Sequence, residues 1–386
     1  MLEGVNVALG VTGSIAAVKV VELAHELRRQ GAAVRGVLTE SAQGIVHPWA
    51  VEFATGYEPV TELTGRVEHV ELCGRDGWAD VLLIAPCTAN TVGKVAAAVD
   101  DSPVTTTATT AIGADVPVVV APAMHEPMYD HPGVLDAIER VESWGVEFVD
   151  PRIEEGKAKI ATEEAIVTEV ARATTPHSLA GEHVVVTAGA TSEPIDPIRT
   201  ITNRASGKTG RAVAKACYVR GADVTLVHDG DDVPYADVRR AERAAAMRDA
   251  VLAAADDGAD ALVSAAAISD FTVDAADSKI KSGEERTLTL TPTPKLIDSV
   301  RDAHPELPIV GFKAETGASD EQLAGEARRI LDRAGLAFVV ANDAGVMGDD
   351  ETRALLVRGE GYSEFTGSKP ELGAVVAEQL AEVLGD

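Results

Sequence analysis

Residues 184–216 read VVVTAGATSEPIDPIRTITNRASGKTGRAVAKA. The β-branched run Val184–Thr187 predicts a strand that stops at Gly189. A polar, proline-punctuated loop follows, carrying Thr191, Ser192, Arg199, Asn203 and Arg204. Ser206-Gly207-Lys208-Thr209-Gly210 then opens an Ala-rich helix. Strand, loop and helix N-terminus together make an anion site, because free N–H groups and the helix dipole point at one place. A lone Gly-rich turn is as often an ordinary strand-to-helix connection. Here the loop also carries Arg199, Asn203 and Lys208, which reads as a binding loop. It is not a P-loop, since Thr202 stands where the first glycine of GxxxxGK[ST] belongs.

Toward the N-terminus the same grammar appears. Val5–Val11 reads as a buried parallel strand, followed by Gly10-Val-Thr-Gly13-Ser14-Ile15-Ala16 and an amphipathic helix to about Gln30. Gly31 stops the helix and Ala33–Thr39 is the next strand, so a right-handed β-α-β unit opens the chain. The turn is GxxGxIA rather than GxGxxG, and Thr39 stands where a ribose-binding acid would close the second strand. A ligand with a single phosphate, such as FMN, fits that turn better than NAD. Strands at Asp80–Ala85 and Val116–Ala121 each run into a polar loop, Pro86–Thr91 and Pro122–Met128, at the strand ends where open α/β sheets bind ligands. A helix near 131–144, a strand Val146–Val149, a polar loop with Gly156-Lys157-Ala158-Lys159 and a further helix complete this half.

Thr174–Ser178 is short, polar and proline-containing, which reads as a linker. Beyond it the pattern restarts, with strands at 183–187, 223–227, 261–265, 309–312, 338–341 and 354–357. Helices are expected at 208–220 and near 240–257, 319–334 and 370–384. The fold class is α/β, with two tandem Rossmann-like doubly wound domains at 1–173 and 182–386, joined by a linker at 174–181.

The chain's 386 residues, 46% hydrophobic, suffice for two or three domains. No apolar run approaches the ~20 residues of a membrane span, and no signal peptide is evident at the start. Both point to a cytoplasmic protein. The three cysteines, Cys73, Cys87 and Cys217, form no CxxC pair, which argues against a disulfide framework or a zinc site. The net charge of −28 disfavours nucleic acid and anionic membranes as partners. Acids are dispersed, and lysine supplies only eleven of the 34 basic residues, a balance expected of a halophile. Lysines that persist in motifs, such as Lys208, Lys279, Lys281 and Lys313, are then less readily dismissed as surface filler.

These motifs carry a specific resemblance. GSIAA at 13–17, HVEL at 69–72, WAD at 78–80, APCTANT at 85–91 and PAM at 122–124 resemble the flavin-dependent cysteine decarboxylases, whose fold is flavodoxin-like. The 187–210 segment, AAISDF at 266–271, KIK at 279–281, GFKAET at 311–316 and AND at 341–343 resemble phosphopantothenate–cysteine ligase. In this order they resemble the bifunctional phosphopantothenoylcysteine decarboxylase/phosphopantothenate–cysteine ligases of coenzyme A synthesis, in an archaeal, halophile-like form.

The resemblance implies FMN against Gly13, Ser14, Ile15, Thr39, Pro86, Thr88 and Asn90. It makes His69 the active-site histidine, a group able to exchange protons or orient a carboxylate. The implied decarboxylation oxidises the cysteinyl thiol to a thioaldehyde beside the flavin, loses CO₂ and returns the hydride. Met124 and His125 would meet substrate, His125 standing where the bacterial pattern has Asn. The family's clamp loop carries a proton-donating cysteine; the corresponding Glu155–Ala161 has none, leaving Lys157 and Lys159, of which Lys159 is the expected donor.

In the ligase half the resemblance implies activation of 4'-phosphopantothenate by CTP through an acyl-cytidylate, with Mg²⁺ carried by the triphosphate. Ser206, Gly207 and Lys208 would grip the substrate phosphate, Asn203 would hold the acyl group with Arg199 assisting, and Ala267 would line the site. Asp270 would read the nucleotide, Lys279 would touch its triphosphate, and Phe312, Thr293, Pro294, Lys295 and Leu296 would flank it. Arg329 and Arg333 have the spacing of one helical face; a solvated arginine face is the alternative. The family also implies homo-oligomers: decarboxylase trimers or larger shells with FMN at subunit contacts, and ligase dimers. A two-domain nicotinamide oxidoreductase and a flavin-binding regulatory protein without turnover are the rival readings.

Overall fold

The computed structural model describes residues 1–386 except 155, 156, 284, 316, 318, 344–350, 360 and 386. The chain divides into two compact units, Met1–Thr175 and Pro176–Asp386.

In the first unit β1 (Asn6–Val11), β2 (Ala33–Leu38), β3 (Val81–Cys87), β4 (Val118–Pro122) and β6 (Glu147–Phe148) form a parallel sheet in the order β2-β1-β3-β4-β6. β1, β3 and β4 are buried along almost their whole length because helices cover both faces, which is why they read as continuous apolar runs. α1 (Val20–Arg29) buries Val20, Leu23, Ala24 and Leu27, one stripe of a 3.6-residue period. A 3-10 turn, Ile15–Lys19, precedes it, so the α-helix expected after Ala16 begins only at Val20. The 3-10 turn is pinned by Ser14, whose Oγ accepts from the Ala16 N–H.

Around the sheet lie α2 (Glu40–Gln43), α3 (Pro48–Thr55), α4 (Glu68–Cys73), α5 (Ala89–Ala96), α6 (Pro103–Gly113), α7 (Glu126–Tyr129), α8 (Pro132–Glu142) and α9 (Glu163–Thr174). The expected loop at 150–160 is a polar hairpin, β7 (Arg152–Glu154) and β8 (Lys157–Lys159). β8 pairs antiparallel with β5 (Met124–His125).

In the second unit β9 (His183–Thr187), β12 (Asp223–His228), β13 (Asp237–Arg240), β14 (Ala261–Ser264), β17 (Ile309–Glu315), β18 (Phe338–Asp343), β19 (Glu351–Arg358) and β20 (Gly361–Ser368) form one sheet. Its order is β13-β12-β9-β14-β17-β18-β19-β20, parallel up to β18 and antiparallel after it. Two small ribbons, β10 (Ser192–Pro194) with β11 (Thr200–Thr202) and β15 (Phe271–Thr272) with β16 (Thr291–Pro292), decorate its loops.

α10 (Lys208–Val219) and α14 (Lys369–Gly385) pack on one face, where Val213, Cys217, Leu372 and Val376 join Val184, Val186 and Phe338. α11 (Ala244–Asp256), α12 (Leu296–Ala303) and α13 (Asp320–Ala334) cover the other, with Met247, Val300 and Leu323 against Val185 and Leu262.

Two expectations shift. The helix expected near 240 begins only at Ala244, because 237–240 is the edge strand β13. The stretch between complete elements runs from 175 to 182, one residue later than 174–181. Thr174 ends α9, and Leu179 is fully buried in the second core.

Candidate functional site

Each sheet reverses its strand order once. In the first unit the chain runs from β1 outward to β2 and returns to β3 on the other side of β1; in the second it runs from β9 to β12 and returns to β14. The loops leaving the two central strands diverge there and open a crevice at the strand C-termini.

The first crevice is a cavity of about 580 Å³. Gly13, Ser14, Ile15 and Thr88 line it, as do Met124, His125 and Lys159. Gly13 is required by packing: a Cβ there would stand 2.4 Å from Ser41 Oγ. Three loops are stitched together at its floor. Thr12 Oγ1 donates to Pro86 O at 2.8 Å and accepts from the Thr88 N–H at 3.1 Å, and Ser14 Oγ donates to Ala123 O at 3.1 Å. Thr88 also caps α5. The walls include Ile15, Val18, Met124, Met128 and Ile160, with hydroxyls at one side and Lys19 and Arg152 among the lining groups. An apolar slot with hydroxyls, helix N-termini and cations suits a planar heteroaromatic ring with a phosphate tail.

Thr39, Pro86 and Asn90 do not line this cavity. Thr39 caps α2 beside Ser41, Pro86 lies within β3, and Asn90 is exposed on α5. His69 sits on α4, also off the cavity, and its Nδ1 is buried without a hydrogen-bond partner among the described residues. Lys159 Nζ meets Glu154 Oε2 at 3.0 Å across the hairpin, and this hydrogen bond is the leading cause holding the Glu154 carboxyl below its ordinary range. Glu155 and Gly156 lie outside the described residues. Lys19, Arg152 and Val18 were not singled out from sequence; the scarcity of lysine was a signal for Lys19, and nothing marked the other two.

The second crevice is smaller, about 150 Å³, lined by Gly189, Ser206, Gly207, Lys208, Thr209, Gly210, Ala265, Ala266, Ala267, Phe312, Asn342, Thr352 and Lys369 among others. Two glycines of the motif are dictated by geometry. Gly207 has φ 74°, and a Cβ on it would lie 2.9 Å from Gly189 N; on Gly210 it would lie 2.6 Å from Ala188 Cβ. Gly207 caps α10 with no side-chain hydrogen bond among the described residues, so the helix start, whose residues line the crevice, has no side-chain cap. Loops after β9 and β14 are laced together: the Ala267 N–H donates to Gly189 O at 2.8 Å, and the Thr191 N–H donates to Ala267 O at 3.2 Å.

Asn203 lies at the rim, its Nδ2 donating to Ala267 O at 2.9 Å. Arg199 Nη1 donates to Asp196 Oδ2 at 2.6 Å and to Ile280 O at 3.2 Å, which brings the 279–281 segment beside Arg199. Asp196 is 2% exposed. Burial works to raise its carboxyl, but the N–H groups of Ile198, Ile280 and Arg199 outweigh that and leave it below the ordinary range.

A second cluster forms around Asp270. Its Oδ1 meets Lys295 Nζ at 2.5 Å, and its carbonyl accepts from the Thr293 N–H at 3.0 Å. Pro294 lies between these two residues in the chain. Leu296 differs from expectation: it opens α12 and is 3% exposed, packed into the core with Val300 rather than lining an opening. Arg329 pairs with Glu326, and Arg333 holds Asp298 of α12 through both carboxylate oxygens at 2.9 Å. Neither lines the crevice, and exposed pairs of this kind contribute little stability.

Comparison with known proteins adds to this geometry. The family described as Flavoprotein matches residues 1–175, and the DNA/pantothenate metabolism flavoprotein C-terminal domain matches residues 179–384. The coenzyme A biosynthesis bifunctional protein CoaBC of Thermococcus kodakarensis is 48% identical over 390 residues, spanning 100% of this chain and 95% of its own length. The protein of that name from Bacillus subtilis is 35% identical, spanning 89% of this chain and 87% of its own. The solved structure of the FMN-dependent cysteine decarboxylase SpaF is 32% identical and covers 45% of this chain and 100% of its own, with a TM-score of 0.41.

Proposed function

The chain belongs to the CoaBC bifunctional proteins of coenzyme A biosynthesis, and from that premise we propose which residues carry its two reactions. One joins 4'-phosphopantothenate to cysteine; the other decarboxylates phosphopantothenoylcysteine to 4'-phosphopantetheine. We assign the decarboxylase to residues 1–173 and the ligase to 182–386.

The first crevice holds FMN, which supplies the redox chemistry of the decarboxylation when bound. Of the residues implied by the resemblance, Gly13, Ser14, Ile15 and Thr88 line the crevice and would hold it, while Thr39, Pro86 and Asn90 lie outside its lining. The fit rests on the close Gly13–Ser41 approach and on apolar walls set beside hydroxyls. Met124 and His125 orient the substrate. Lys159 donates a proton to the sulfur-bearing intermediate, with Glu154 beside it as a carboxylate. His69 binds and orients the departing carboxylate. Because His69 lies off the cavity of its own chain, a neighbouring copy completes the site. The exposed Ile15, Val18, Trp49 and Phe53 suit such a contact. Trimers or larger shells of this half, and dimers of the ligase half, are the assemblies that the family resemblance implies.

In the second crevice Ser206–Gly210 grips the substrate phosphate, and Arg199 and Asn203 hold the carboxylate. That carboxylate attacks the α-phosphorus of CTP and expels pyrophosphate; cysteine's amine then attacks the acyl carbon and expels CMP. Ala267, Asp270, Lys279, Thr293, Pro294, Lys295 and Phe312 flank the nucleotide, Leu296 supports them from the core, and Arg329 and Arg333 lie on the helix beyond. Mg²⁺ arrives on the triphosphate. The observation that carries this half is the α10 N-terminus without a side-chain cap, meeting Gly189 at the sheet's switch point.

We place the enzyme in the cytoplasm, since its substrates are phosphate esters and a nucleoside triphosphate, and we read the dispersed net charge of −28 as adaptation to high salt. Unchanged thermal stability between dilute buffer and molar KCl would count against that last point. Incubation with 4'-phosphopantothenate, cysteine, Mg²⁺ and CTP or ATP, with products read by mass, tests the whole. Phosphopantetheine with release of CMP and pyrophosphate is expected. Accumulated phosphopantothenoylcysteine would leave a ligase without a decarboxylase.

A further inference from the structure

Glu193, on β10 in the loop after β9, is only 4% exposed. A buried carboxylate is costly unless donors meet it, and two do. Its Oε1 accepts from the Ala244 N–H at 2.8 Å, and its Oε2 accepts from the Thr272 hydroxyl at 2.9 Å. The first donor opens α11, whose N-cap residue, Arg243, makes no side-chain cap among the described residues. Glu193 takes that place from 51 residues upstream, a carboxylate at the positive end of the helix dipole. The Ser192 N–H donates to Glu242 O at 2.7 Å, so β10 is fastened beside α11 through its backbone as well.

The second donor follows closely on Asp270 in the chain. Asp270 presents an exposed side chain on a backbone held from both sides. Before it, the Ser269 N–H donates to Thr191 Oγ1 at 2.8 Å, and Ser269 O accepts from the Thr293 hydroxyl. After it, β15 pairs with β16, and Thr272 reaches Glu193. Thr191, Ser269 and Thr293 are buried, so these bonds are shielded from water. Most of them join one loop to another. Glu193 alone in this set joins them to a long helix, one packed into the core through Met247 and Val251. Binding groups keep their geometry when their supports rest on rigid elements.

We propose that Glu193 is a positioning residue of the ligase reaction: anchored at the start of α11, it holds Thr272 and so fixes the backbone from which Asp270 meets the nucleotide. The inference rests on the nucleotide reading of Asp270 and adds to it the group that sets where Asp270 stands. Misplacing a binding group by about 1 Å can cost about a hundredfold.

The test uses the full-length chain with Thr272→Val, which keeps the shape and removes the donor, and with Thr272→Ser, which keeps the hydroxyl. Thermal denaturation first shows both to be folded. Pyrophosphate release is then followed with CTP varied at saturating 4'-phosphopantothenate, and the reverse. Thr272→Val should raise KM for CTP about tenfold, with KM for 4'-phosphopantothenate within about twofold of wild type. Thr272→Ser should recover most of the loss. An unchanged KM for CTP in Thr272→Val, or equal rises for both substrates, overturns the inference. Asp270→Ala separates it from the reading beneath it. A raised KM for CTP in Asp270→Ala, with wild-type behaviour in Thr272→Val, removes the role of Glu193 alone. A wild-type KM for CTP in Asp270→Ala overturns the nucleotide reading, and this inference with it. If Thr272→Val does not fold, a crystal structure of the wild-type chain with CTP decides. Nucleotide within hydrogen-bond distance of Asp270, with the Glu193–Thr272 bond intact, is expected; bound nucleotide with that bond broken overturns the inference.

Discussion

Gly373 and Ala212 touch through their backbones: a Cβ on Gly373 would lie 2.6 Å from both the carbonyl carbon and the carbonyl oxygen of Ala212. In an isolated helix, Gly→Ala stabilises by about 1 kcal/mol. Here the added methyl must separate two helices, at a cost of about 1–3 kcal/mol. The second effect wins on these magnitudes. Gly373→Ala should lower the melting temperature of the ligase half and weaken 4'-phosphopantothenate binding, because the paired helix starts move apart. A melting temperature equal to or above wild type would mean that the helices do not press on each other at this point.

Asn203 and Lys208 divide the work of one loop. Asn203 sits at the rim on Ala267 O, and Lys208 lines the crevice. Asn203→Ala should leave 4'-phosphopantothenate binding within about threefold of wild type and slow acyl-cytidylate formation about a hundredfold, a typical loss for one transition-state donor. Lys208→Ala should mainly weaken substrate binding. Calorimetry and single-turnover pyrophosphate release separate the two. Parallel losses in both measurements for both variants would reduce the loop to a generic cradle.

Asp196 organises Arg199 and the 279–281 segment from a buried position. Its carboxyl is lower in the folded state than in the unfolded chain, whose value is about 3.9. The carboxylate's contribution to stability is therefore complete above that unfolded value and is lost as pH falls through the folded one. Asp196→Asn should remove this part of the acid sensitivity and slow the ligase at neutral pH by loosening Arg199. Calorimetry from about pH 6 down to about pH 3 tests the sign. An acid-limb slope identical in wild type and Asp196→Asn would contradict it.

All three cysteines are buried. Burial pushes the Cys73 and Cys217 thiols up to about 12 and raises Cys87 as well. Very little thiolate forms at about pH 8. The native protein should resist thiol reagents and expose three reactive groups only on denaturation. Rapid alkylation of a native thiol, accompanied by loss of decarboxylase activity, would restore a cysteine to the proton-donating role proposed for Lys159.

The two-domain α/β architecture was legible because its central strands, such as Val184–Thr187 and Val81–Cys87, are buried on both faces and end at glycine- or proline-marked loops. The polar edges were not. β13 reads DVRR and β20 reads GYSEFTGS, both partly solvated, so alternation there is weak. The hairpin carrying Lys159 has strands of three residues each, too short for periodicity to register.

Site residues divide along a similar line. Ser206–Lys208 and Gly13–Ile15 announce themselves because helix starts and close backbone approaches constrain residue type. Lys369 and Arg152 reach their crevices from elements distant in the chain, and only the fold brings them there. Leu296 illustrates the opposite failure, a residue within a suggestive motif that packing takes into the core. The nicotinamide reading, open while only the Thr39 turn was in view, gives way to family membership across the whole chain.

The central claim is that one chain carries both reactions. The most direct measurement is mass analysis of a single incubation of the purified, FMN-loaded protein with 4'-phosphopantothenate, cysteine, Mg²⁺ and CTP. The predicted result is 4'-phosphopantetheine, with one CMP and one pyrophosphate released per molecule formed. Recovery of unconverted 4'-phosphopantothenate, without pyrophosphate, would contradict the account.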